Sequence, residues 1–235
     1  LMDNVRIYSF AGGQHGPGSF PAVQRSGQQL SNPNDYSWFM RSLLLAMNRW
    51  ATDESPPPAS NYPRISSGDL VLPAQLDFPQ LPGVGQPADP HKAYRVDYGP
   101  EFATKGIVSV EPPEAASTFP ILVPQVDDSG NEIGGLRSPD IAVPLASYTG
   151  WLPSNPVSGV GLYVPFARTR AEREVNGDPR LSIEERYQGR AQYLGLVAHS
   201  AMALIDDGYL LAGDLPQILE RAGAHWDYRI SEGDE

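Results

Sequence analysis

Proline placement decides most of what this chain can become. Ten prolines fall between residues 56 and 100, beginning with Pro56-Pro57-Pro58. Each fixes φ and removes a backbone donor, so neither a long helix nor a central strand runs through them. The triple proline reads as a stiff spacer. Beyond it, Pro63, Pro73, Pro79, Pro82, Pro87, Pro90 and Pro100 predict irregular wrapping chain with short extended pieces at 69–72 and 94–98. The 24 prolines and 23 glycines make up about a fifth of the 235 residues. That is short of the ~25–30% of low-complexity chains. With 40% hydrophobic residues, an ordered but loop-rich protein is expected.

Regular structure is therefore expected mainly at the two ends. Val5 and Ile7 alternate with polar neighbours and predict a strand over 5–10. From Tyr36 to Ala51, Phe39, Leu43, Met47 and Trp50 fall on one helical face, widened by Leu44 and Leu45, which should lie against a sheet. Asn34 or Asp35 is placed to cap it. At the other end Ser182 and Glu185 form a capping box. Ile183, Tyr187, Ala191, Leu194 and Ala198 then step along one face to Ile205 as a single helix. Asp214-Leu215-Pro216 opens a last helix with Ile218, Leu219, Ala222 and Trp226 inside, and 231–235 should fray.

Between the ends, 107–110, 119–123, 133–137 and 141–145 read as extended segments around a turn at 127–132, taken as a solvated hairpin tip. Residues 19–34 and the stretch through Pro153 and Pro156 read as loops. Arg168–Glu174 reads as a short, charge-paired helical turn. The resulting division is 1–55, a strand, histidine loop and helix; 56–105, a proline-rich wrapping segment; 106–167, a small β-rich accessory region; and 168–235, C-terminal helices.

Composition excludes several functions. The formal charge is −11 and no Lys/Arg cluster interleaves with aromatics, which argues against nucleic acid and against anionic membrane surfaces. No apolar run approaches the ~20 residues of a membrane span. The absence of cysteine removes disulfides, zinc–thiolate sites and thiol nucleophiles. The four histidines, His15, His91, His199 and His225, show no metal-ligand spacing. Neither GxxxxGK[ST] nor GxGxxG follows the first strand, and G-x-S-x-G is absent. No cofactor is expected. Among 28 acidic residues no carboxylate pair stands out for glycoside hydrolysis.

The chemistry-bearing stretch is Gly12-Gly13-Gln14-His15-Gly16-Pro17-Gly18. A strand, a glycine loop presenting one histidine, and a helix beyond it is how an α/β enzyme places a base at the edge of its sheet. An ordinary loop histidine is the commoner meaning of such a residue. A strand starting within five residues of Leu1 reads as the tail of something longer. Two functions follow: part of an enzyme, or a non-catalytic accessory or interaction module in which the glycine loop is only a turn.

Four stretches in combination resemble the C-terminal half of a bacterial family of alpha/beta hydrolase domain proteins. They are Val5 to Pro17, Leu30 to Tyr36, Pro144 to Trp151 and Pro165 to Arg173, and the likeness runs over almost the whole chain. The resemblance implies an α/β fold: the last core strand and packing helix of an α/β-hydrolase, with the accessory region and C-terminal helices added. In the family order of serine, acid, histidine, the histidine follows the last core strand. The resemblance thus implies that His15 is the triad base of a serine hydrolase acting on small carboxylic esters. It also implies that nucleophile and acid lie in a missing N-terminal half, so that this chain alone is inactive. Gln14, Tyr148, Trp151 and Phe166 are candidate pocket-lining residues, although aromatics are more often buried for packing.

Overall fold

The computed structural model describes residues 2–24, 30–85, 92–152 and 159–231. Pro87, Pro90, His91, Pro153, Pro156 and the polar end at 232–235 lie outside the described residues. The order of elements is β1 (Leu30–Ser31), α1 (Ser37–Asp53), β2 (Leu70–Val71), β3 (Tyr94–Asp97), α2 (Phe102–Lys105), β4 (Glu114–Thr118) and β5 (Val123–Pro124). After these come α3 (Pro139–Ala142), β6 (Ala146–Tyr148), β7 (Leu162–Pro165), α4 (Arg170–Asn176), α5 (Ile183–Arg186), α6 (Arg190–Asp206) and α7 (Leu215–Ser231). The architecture is mixed α/β, with small sheets and C-terminal helices.

Among the described residues every ladder is antiparallel and short. The central sheet runs β1-β7-β6, with Leu30 opposite Tyr163 and Ser147 opposite Val164. β2 pairs with β5, and β3 with β4. Residues 5–10 do not form the expected strand; they make single parallel bridges, Tyr8 to Asn61 and Phe10 to Leu136. The β3–β4 ribbon is exposed along both strands and joins residues on either side of position 105.

Three further expectations for the middle region are corrected. Residues 107–110 are loop, because Gly106 ends α2 in a left-handed turn and the Ser109 and Val110 amides both donate to the Tyr98 carbonyl. The partner of β3 arrives later, at Glu114–Thr118. Ile141 lies in α3 rather than a strand, since Ser138-Pro139 opens a helical turn whose first amides, from Ile141 and Ala142, reach the Ser138 carbonyl. The turn at 127–132 is not a solvated tip. Asn131 is fully buried, donating to the Ala146 carbonyl at 3.0 Å and accepting the Tyr148 amide at 2.8 Å, which docks the turn on β6.

α1 forms where its periodicity predicts, with Asp35 accepting the Ser37 amide at 3.0 Å. Its neighbour is not a sheet. Phe39 stacks on Phe10 (5.6 Å), which stacks on Tyr36 (5.0 Å), and Ser42 donates to the Gly208 carbonyl. Leu44, Leu45 and Met47 remain exposed.

The C-terminal helix expected over 183–205 is two helices. The Tyr187 amide closes α5 onto the Ile183 carbonyl, Gly189 turns the chain with φ 147°, and α6 restarts at Arg190. The break rotates the buried face to Tyr193, Val197 and Ala201, leaving Ala191 exposed. α7 buries Ile218, Ala222 and Trp226 as predicted, and Tyr187, Tyr193 and Trp226 pack together at 5.2–6.0 Å. The larger core joins α1 to these helices; a smaller one gathers Ala11, Ile141, Ala146, Tyr148 and Tyr163 under the histidine loop.

The capping box at Ser182 is present. Its hydroxyl accepts the Glu185 amide, and Glu185 Oε2 accepts the Ser182 amide at 2.9 Å. Glu185 is also bound by Arg173, whose guanidinium, with the Ser182 donors, brings its carboxyl down to about 2. Ser182→Ala should cost about 1 kcal/mol, the usual loss for an N-cap. A urea titration showing no change in midpoint would contradict this.

Candidate active site

Ala11 to Gly18 cross from the end of the 5–10 segment over the small core. The Gly13 amide donates to the Phe10 carbonyl at 3.0 Å, closing a turn with Gly12 at its third position. Gly12 has φ 60°, and a Cβ there would lie 3.0 Å from Ile141 Cδ1 and 3.1 Å from the Tyr148 carbonyl oxygen. Glycine is required on both counts, conformation and space.

The loop backbone is then fixed by side chains from elsewhere. Asn32 donates through Nδ2 to the Gly12 carbonyl (2.7 Å) and the Thr149 carbonyl (2.8 Å), while its Oδ1 accepts the Asn34 amide (2.8 Å). Asn34, itself held by Ser138 Oγ, donates to the Ala11 carbonyl at 3.1 Å. Both asparagines are 1% exposed, and each buried amide is paired, as burial demands. Glu132 Oε2 accepts the Gly12 amide at 3.0 Å. The Tyr36 hydroxyl donates to the Gln14 carbonyl at 2.9 Å, and the His15 amide donates to the Gly159 carbonyl at 3.0 Å. Gly159 is left-handed (φ 65°), and a Cβ there would approach His15 Cβ to 2.9 Å. The chain is thus brought flat against the histidine's stem.

His15 itself is exposed, and its ring makes no hydrogen bond to the described residues. A hydrogen-bonded backbone therefore carries an imidazole that no described residue engages. Gln14 is committed elsewhere: its Nε2 donates to the Asn32 carbonyl and its Oε1 accepts the Gly161 amide at 2.8 Å. It lines a pocket of about 40 Å³ with Gly18, Ser19, Ser31, Asn32 and Val160, which is water-sized.

The other candidate lining residues are placed differently from one another. Tyr148 is buried in the small core. Phe166 is buried between the guanidinium groups of Arg186 (4.3 Å) and Arg180 (5.0 Å). Both pack within the hydrophobic cores. Trp151 is half-buried, edge-on to Phe78 at 5.3 Å. A larger open groove of about 460 Å³ lies between α4, α5 and α7, lined by Arg168, Glu172, Tyr187 and Trp226 among others, and none of its residues belongs to the histidine loop.

Two half-buried acidic groups escape sequence reasoning. Burial raises the Glu132 carboxyl to about 7, against the opposing pull of the Gly12 amide. Asp140 lies 4.0 Å from His225 Nδ1 and 3.6 Å from Arg221 Nε. Burial pushes its carboxyl up, but His225 and Arg221 outweigh that and hold it below the usual range. On the other side His225 Nε2 is 2.6 Å from the Tyr163 hydroxyl. Acid, imidazole and hydroxyl are in line here. However, His225 is 3% exposed, Tyr163 is 1% exposed, and the Phe20 ring covers the imidazole at 5.0 Å. This cluster ties α7 to β7 and α3 and is shielded from solvent. Burial, with the Asp140 charge second, also raises the Tyr148 phenol well above 10. Among the described residues no group of three His, Cys, Asp or Glu side chains is placed to hold a metal, and no helix is long and apolar enough to cross a membrane.

A fixed glycine loop offering one unencumbered imidazole, set in a mixed α/β frame, is the kind of part that acyl-transfer enzymes use as a base. The family assignment agrees: residues 2–220 match the family described as Alpha/beta hydrolase domain, and the chain belongs to that family. No curated protein and no solved structure matches significantly.

Proposed function

We propose that the chain contributes the catalytic histidine of a serine hydrolase acting on small carboxylic esters. The observation that carries this is the contrast at residue 15: backbone fixed on both sides, ring exposed and unpaired among the described residues. In acyl transfer the imidazole takes the proton of the serine hydroxyl and returns it to the leaving alcohol. The serine, the acid that orients the imidazole and the oxyanion-hole donors come, on this reading, from outside the described residues, in polypeptide that precedes residue 1. The 5–10 segment is then the last core strand, its ladder completed by that polypeptide. Family membership supports the reaction class and does not select the acyl or alcohol group.

The test is turnover of p-nitrophenyl esters and labelling by a serine-reactive phosphonate. This chain alone should be silent in both, and a longer gene product carrying the nucleophile should be active in both. A longer product that neither labels nor turns over esters leaves the accessory-module reading instead.

A further inference from the structure

The groups that hold the histidine loop differ in one respect. Asn32, Asn34 and Gln14 bind it through amides that carry no charge at any pH. Tyr36 binds through a phenol whose pKa burial raises above its ordinary value. The His15 amide is held by a backbone carbonyl. Among the described residues only Glu132 grips the loop through a group able to gain or lose charge in the neutral range. It does so at Gly12, the left-handed residue that sets the direction in which the chain leaves toward His15.

We propose that Glu132 is a positioning residue for His15, acting through the Gly12 amide at the turn that launches the histidine loop. This rests on His15 being the base of the site. Ionised, Glu132 accepts the Gly12 N–H in a charge-assisted bond, roughly twice as strong as a neutral one. Protonated, its neutral carboxyl accepts more weakly and leaves the turn less constrained. Gly12 is also gripped from the opposite side through its carbonyl, by Asn32 at 2.7 Å and Asn34 at 3.5 Å. The peptide units flanking Gly12 are therefore oriented by opposed pulls, and Glu132 supplies the adjustable one.

The surroundings of Glu132 leave it free to play this part. The charged groups on the elements beside it are already engaged. Asp127, next to its bridge partner Val126, is paired with Arg137 at 3.1 Å. Asp69, which packs against Gly134, is held ionised first by the Ser67 hydroxyl and then by the Arg64 amide. On the α3 side Asp140 is engaged with Arg221 and His225. Burial and the Gly12 amide alone set where Glu132 titrates, at about 7. Competence of the site then requires a neutral His15 together with an ionised Glu132. One pH unit below the Glu132 midpoint only about a tenth of molecules meet the second condition.

The test is a pH titration of the labelled chain by NMR, following the Gly12 amide and the His15 ring in the native sequence, Glu132→Gln and His15→Ala. Glutamine keeps an acceptor for Gly12 and has no proton to lose. The Gly12 amide should shift with a midpoint near 7 in the native and His15→Ala chains and stay flat in Glu132→Gln. The native His15 ring signal should respond at the Glu132 midpoint, a response absent in Glu132→Gln. A Gly12 amide that does not titrate in the native chain overturns the proposal, even if the glutamine variant fails to fold. So does a His15 ring curve identical in the native and glutamine chains. Because no step of this measurement needs ester turnover, failure of the hydrolase reading would show separately, as absence of phosphonate labelling in the longer protein.

Discussion

His15→Ala should lower kcat/KM for ester hydrolysis by about a thousandfold or more in the protein that carries the nucleophile, the usual cost of losing a positioned general base. The structure makes this a clean experiment. His15 contributes to its own loop through the backbone amide and the Cβ contact with Gly159, and alanine keeps both. The ring is exposed and forms no hydrogen bond with any described residue. Unfolding should therefore be unchanged to within about 0.5 kcal/mol, as for surface substitutions away from special features. KM should move little, because the imidazole acts on the proton in transit rather than on bound ester. A loss of stability matching the loss of rate would point to a structural histidine.

Glu132→Gln should change stability most at alkaline pH. The folded Glu132 carboxyl titrates at about 7 rather than the ordinary 4.5, because burial penalises its charge. Between those two values the folded chain holds a proton that the unfolded chain has released. Stability therefore falls as pH rises through that window and levels off above about 7. The shift corresponds to at most about 3 kcal/mol, at 1.36 kcal/mol per unit. Glutamine avoids this cost and retains an acceptor for Gly12. Urea unfolding should show the variant close to native at pH 4.5 and up to about 3 kcal/mol more stable at pH 8. An advantage that is the same at both pH values would contradict the assignment. A half-buried charge that weakens the fold yet grips the histidine loop is what a site retained for function looks like.

The contrast between Glu132 and Ser182 shows which features could be read in advance. The capping box at Ser182, the apolar faces of α1 and α7 and the glycine loop are local patterns, fixed by spacing along a few turns. What Glu132 and Asp140 do depends on burial by segments far away in sequence, and a lone acidic residue carries no mark of that. Asn32 and Asn34 had a faint signal: two asparagines flanking a proline just before a helix, which suit capping and turns. Asn34 instead points inward to Ala11, and Asp35, one residue before the N-cap Tyr36, accepts the Ser37 amide. Gly189 sits inside a run whose periodicity continues past it, so the break between α5 and α6 was hidden. The Ile107–Val110 run has the residue types of a strand, but the ladder was taken by Glu114–Thr118, because pairing depends on which segment meets β3. Tyr148 and Phe166 are aromatics drawn into cores, the commoner fate of such side chains.

The central claim is that an imidazole held at residue 15 activates a serine hydroxyl brought to it. Its most direct measurement is the rate at which a fluorophosphonate labels the serine of the longer protein, native against His15→Ala, since labelling reports the hydroxyl's reactivity without needing the true ester. The native protein should label at least about a hundredfold faster. Equal rates in the two proteins, with both folded, would mean that His15 is not the base.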